Sequence, residues 1–187
     1  MLITYANSKR KCVQMSSKNL FRWSGLATIL GGLLLPTSWI LRFVIGVQRP
    51  YTGTIEFVAT ILLVFGFMGV YGFQHEETGV LGFLGFLIIT IHNCSALGET
   101  WLQNGEPTGA AIVLGPLVGI TMLLGFILLG IGSWQANKLP RWAVMLWVIG
   151  GALIVPGFLV QPILVVIGGL IQGTGIVAAG VKLWMDY

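Results

Sequence analysis

The stretch IEFVATILLVFGFMGVYGF, residues 55–73, holds a single charge, Glu56, near its start. As a helix rising 1.5 Å per residue it is about 28 Å long, close to the hydrocarbon thickness of a bilayer. A transmembrane β-strand would alternate polar and apolar residues over about 10 positions, whereas residues 58–70 are almost uniformly apolar. The stretch therefore reads as a membrane-spanning helix.

Five similar runs flank it, at residues 21–45, 79–98, 110–134, 142–160 and 163–184, after a basic tail over residues 1–20. Hydrophobic residues make up 56% of the chain and charged residues 9%, far below the quarter usual in a soluble domain. The 27 glycines fit the same solvent, because in lipid small residues let helix backbones approach closely. The predicted fold class is all-α: a six-helix transmembrane bundle over residues 21–187. The first run exceeds the core of a signal peptide and no A-x-A-like site follows, so it is expected to be retained. Arg22 and Arg42 lie about 30 Å apart on that helix, and with Trp23 and Trp39 they should bracket it at the two interfaces. Pro36 should kink its outer half.

The basic residues fall in alternate gaps. With the N-terminus in the cytoplasm, Lys9, Arg10, Lys11, Lys18, Arg22, Lys138, Arg141 and Lys182 lie inside, and Arg42 and Arg49 outside. The positive-inside rule then places both termini in the cytoplasm. The net charge of +4 reports this orientation and contact with anionic lipid, and no nucleic-acid partner is implied. Cys12 and Cys94 fall in the tail and within a span, which suggests no disulfide.

The second and fourth spans end alike, with Leu62-Leu63-Val64-Phe65 and Gln74 against Leu123-Leu124-Gly125-Phe126 and Gln135. The first and fifth also correspond, with Trp23, Gly31-Gly32 and Pro36 against Trp142, Gly150-Gly151 and Pro156. Both pairs run in the same direction, which points to three tandem helical hairpins rather than an inverted repeat of transporter type. Gly66, Gly69 and Gly72 line one face of the second span, and Gly115–Gly119 and Gly169–Gly173 are GxxxG pairs. These faces suit close helix contact within the bundle or between protomers.

Chemistry concentrates on the third span. His92, Ser95, Glu99 and Gln103 recur at helical spacing and form a polar stripe, with Asn93 and Cys94 beside it. Counted from Gly79, His92 lies about 20 Å into the span. Ionisable groups at such depth usually face the bundle interior or a watery cavity. Arg42, Arg49, Glu56, Glu106 and Gln161 gather at the same end, so a polar pocket open to the exterior is one expectation. Against it, a neutral His92 donating to a backbone carbonyl, to Asn93 or to Gln161 would serve packing alone, and the flanking charges would sit at the interface.

No catalytic set and no metal site is expected. The other histidine, His75, lies about 25 Å from His92 along the helix axis, too far for a bis-histidine haem. His92 alone leaves room for one haem or chlorophyll-type pigment, but no cofactor is predicted. A Ser/His/Asp set is missing, since Asp186 is the sole aspartate and sits at the far end.

The segment at residues 125–151, with Leu129-Gly130-Ile131-Gly132, the basic break Lys138-Leu139-Pro140-Arg141-Trp142 and then Gly150-Gly151, resembles small multi-pass bacterial integral membrane proteins of unknown function, the DUF4386-like group. Arg22, Gly25 and Gly31-Gly32 are similar to the opening of such proteins. The resemblance covers two helices closely and the others in hydropathy. It implies a prokaryotic inner membrane and supplies no catalytic residues. The expected role is that of an accessory or structural subunit of a larger membrane complex, or a homo-oligomer, working through Gly-rich helix contacts among membrane lipids. The alternative is a small-molecule or lipid binding or transport protein whose outward pocket is built from His92, Asn93, Ser95, Glu99, Gln103, Glu56 and Arg42.

Overall fold

A computed structural model of the chain describes residues 17–102 and 109–186, with side chains over 18–100 and 115–186. It contains six helices: α1 (Ser17–Phe43), α2 (Arg49–Gln74), α3 (Gly79–Leu102), α4 (Gly109–Ala136), α5 (Arg141–Leu159) and α6 (Pro162–Asp186). Each is long and apolar enough to cross a membrane, and no strand occurs among the described residues. The hydrophobic runs thus become the helices that their length dictates. Several helices extend past the apolar limits read from sequence, α1 by a turn at its start. Pro36, Pro116 and Pro156 lie inside α1, α4 and α5 without ending them.

The helices form a closed ring in chain order, with α1 returning against α6 and α2 also touching α6. Four of the contacts are extensive: α1 with α2, α3 with α4, α5 with α6, and α1 with α6. The two remaining seams, α2 with α3 and α4 with α5, are looser. Helices α5, α6, α1 and α2 therefore make one continuous unit, and the α3–α4 hairpin makes a second that meets it along two thinner seams. Span α6 is the most buried of the six and α3 the least.

Glycine explains the tight contacts. A Cβ at Gly69 would land inside the Ser24 side chain, and one at Gly66 would meet the Thr28 backbone at 3.0 Å. Between α1 and α6, a Cβ at Gly173 would approach the Gly32 carbonyl to 2.5 Å, and Gly169 lies under the Trp39 ring. Between α3 and α4, Gly85 faces the backbone of Leu129. Absent side chains let these backbones close, and dispersion between them replaces contact with lipid.

At the end carrying the termini the bundle is sealed. Gln74 donates from Nε2 to Ser133 Oγ at 2.6 Å, both residues fully buried, tying α2 to α4. Lys138 Nζ pairs with Glu77 at 2.7 Å over the same seam. Basic side chains lie over aromatic rings around this end: Arg22 over Trp184 at 4.9 Å, Arg141 over Trp134 at 5.3 Å and Lys138 over Phe73 at 5.7 Å. Such pairs suit an interfacial belt. Trp39 does not join a belt. It is 8% exposed, seated on α6 and edge-on to Phe158 at 6.3 Å, because the glycine at position 169 opens a slot that its ring fills.

Candidate functional site

The opposite half of the ring is hollow. A cavity of about 570 Å³ opens inside it, with walls from all six helices. Along α2 the lining runs from Arg49 through Glu56, Thr60 and Leu63 to Phe67, a depth of about 27 Å. The floor is aromatic: Phe67 meets Phe126 edge-to-face at 5.7 Å, and both rest against the buried Trp147. Apolar side chains from α1, α4 and α5 (Leu35, Met122, Ile154, Val155) form the deeper wall.

The polar groups collect toward the Arg49 end. Arg42 from α1, Arg49 and Glu56 from α2, and Glu99 and Thr100 from α3 all line the cavity. Glu56 is 8% exposed, and Ser38 of α1 donates to its Oε1 at 3.4 Å. Its own backbone carbonyl accepts from Thr60 Oγ1 at 2.8 Å. Arg42 stacks over Phe43 at 4.9 Å, and the Arg49 Nε is buried with no hydrogen-bond partner among the described residues. Arg42, Arg49, Glu56 and Glu99 lie within one electrostatic neighbourhood.

His92 makes a bond across helices, with Nδ1 3.0 Å from the Val118 carbonyl of α4. A carbonyl only accepts, so Nδ1 carries the hydrogen, and in the neutral ring Nε2 is left as an acceptor. His92 thus joins α3 to α4, as the packing expectation has it, and also lines the cavity. Asn93 lines it too while donating to the Ile89 carbonyl of its own helix at 2.8 Å.

The cavity face of α3 is His92, Asn93, Ala96, Glu99 and Thr100. It is rotated from the stripe read in sequence, and Ser95 falls outside the lining. Gln103 and Glu106 lie outside the described residues, and Gln161 is exposed and away from the cavity. Gly66, Gly69 and Gly72 face α1, and Gly169 and Gly173 also face it from α6. Gly115 and Gly119 differ: a Cβ at Gly119 would meet only Val155, at 3.8 Å, and one at Gly115 only Glu99, at 3.9 Å. They are no helix seam, and both line the cavity. Arg42, one of the residues expected in the pocket, lines the wall.

Three residues of the lining with hydroxyl or amide side chains stood outside the sequence-based pocket: Thr60, Thr100 and Gln172. Gln172 is 2% exposed, and its Nε2 has no hydrogen-bond partner among the described residues. That nitrogen lies by Gly151, next to Met122 and Phe126. The available signal was its chemistry, since an amide deep in a span is costly unless something uses it. Among the described residues no three His, Cys, Asp or Glu side chains converge as metal ligands.

Comparison of the chain with family models, with curated proteins and with solved structures finds no match.

Proposed function

We propose that this multi-pass membrane protein binds a small amphipathic molecule or lipid in its central cavity, either to carry it or to present it. The observation behind this reading is the composition of the wall: two arginines and two glutamates at one end and an aromatic floor at the other. A volume of about 570 Å³ falls in the range typical of ligand pockets. The basic residues favour an orientation with both termini in the cytoplasm and the charged end outside, in a prokaryotic inner membrane. The resemblance to the DUF4386-like group supports that location.

Gly119→Leu is the direct test. Its Cβ has open space, so the added side chain fills cavity rather than a helix seam. The variant is expected to insert and purify like the parent, and to lose binding of a fluorescent single-chain amphiphile measured in detergent. Unchanged saturable binding in a folded Gly119→Leu protein would refute the reading.

Assembly with another chain is a second reading. An open apolar groove of about 380 Å³ lies between α4 and α5, lined by Ile127, Gly130, Ile131, Trp134 and Val148, and a partner helix would fit it. Size-exclusion chromatography with light scattering of Ile131→Gln, a change at an exposed position of the groove, checks this, with a shift to smaller mass expected if the groove is an interface.

A further inference from the structure

The cavity is chemically divided, and the division narrows the ligand. Its charged end offers both signs at once, Arg42 and Arg49 with Glu56 and Glu99. An anionic head would satisfy the arginines but confront two carboxylates, and a cationic head would do the reverse. A head carrying both charges meets both pairs, and complementarity of this kind selects against singly charged competitors.

The second observation lies deeper. Glu56, seven residues into α2 and about 10 Å along it, is the deepest charged side chain on the wall. Below it the wall is Phe67, Met122 and Phe126, which accept only hydrocarbon.

The third observation concerns access. Ile120 of α4 and Leu159 of α5 line the cavity and are also exposed. The α4–α5 seam that they flank is one of the two thinner ones, so the shortest apolar route into the cavity from the side runs there.

We propose that the cavity takes a single-chain zwitterionic amphiphile from the membrane, its head held by Arg42, Arg49, Glu56 and Glu99 and its chain held by Phe67, Met122 and Phe126. This rests on the reading of the cavity as a binding site, and the two fail differently.

The test is native mass spectrometry of the full chain in a non-ionic detergent, titrated with probes of equal chain length. Palmitoyl-lysophosphatidylethanolamine is the zwitterion, palmitoyl-lysophosphatidylglycerol the anion and hexadecyltrimethylammonium the cation. Free leucine supplies a zwitterion from water. The zwitterionic lysolipid is expected to bind at one saturable site, about tenfold tighter than either singly charged probe. Arg49→Gln should move the preference toward the cation and Glu56→Gln toward the anion, an opposition that misfolding would not produce. Equal affinities for the three amphiphiles, all abolished by Gly119→Leu, would overturn the zwitterion proposal and keep the binding site. Leucine binding as tightly as the lysolipid would overturn a membrane source. No saturable binding of any probe, or binding indifferent to Gly119→Leu, would remove the site itself.

Discussion

Gln172 sits in the bundle at a cost. Its amide is 2% exposed and one donor has no partner among the described residues, an arrangement that costs about 1–3 kcal/mol. Gln172→Leu is therefore expected to raise the stability of the ligand-free protein by about 1 kcal/mol, measured by thermal unfolding in detergent. A drop would mean that the amide is satisfied after all. His92 behaves oppositely. His92→Leu removes a bond between α3 and α4 and should lower stability by about 1 kcal/mol without preventing insertion, read by the same melt. His92, Asn93 and Glu99 were legible as candidates because polar residues at helical spacing in an apolar run have a price. Trp39 was not. Its type and position near a span end fit a lipid-facing anchor equally well, and only the slot left by Gly169 on another helix decides for burial.

Among the helices, two glycine substitutions of the same size should part company. Gly69→Leu drives a side chain into Ser24 where α1 and α2 close. Overpacking of this kind costs about 1–3 kcal/mol or more, and here the loss is expected as reduced yield of monodisperse protein. Gly119→Leu meets open space and should purify at parental yield. Equal behaviour in fluorescence-detected chromatography would contradict the assigned faces. Sequence spacing shows which glycines share a face but not what that face meets, which is why Gly115–Gly119 and Gly169–Gly173 look alike on paper. The spans themselves were legible, because apolar length is set by bilayer thickness and every backbone group must be paired within the helix. Rotation of each helix was less so. The α3 face that lines the cavity includes Ala96 and Thr100 and omits Ser95, since it is fixed by the contact of Gly85 with α4 rather than by polarity alone.

At the scale of the bundle, the ring divides into α5–α6–α1–α2 and the α3–α4 hairpin, and the seams between them are the thinner ones. Amide hydrogen exchange should find α3 less protected than α6, the most buried span. Gln74→Leu, which removes the α2–α4 bond, should deepen the contrast by loosening α3 and α4 together. Uniform loss of protection across all six helices would argue for a single cooperative unit instead. The buried Gln74–Ser133 bond sits at the sealed end, and the cavity occupies the far one. From Gln74 to Arg49 is 25 residues of one helix, a lever about 37 Å long. A tilt of about 5° about that fulcrum moves the far tips by about 3 Å, the width of a water molecule, while Gln74 and Ser133 barely shift. One hydrogen bond at the pivot thus keeps α2 on α4 without opposing movement at the mouth.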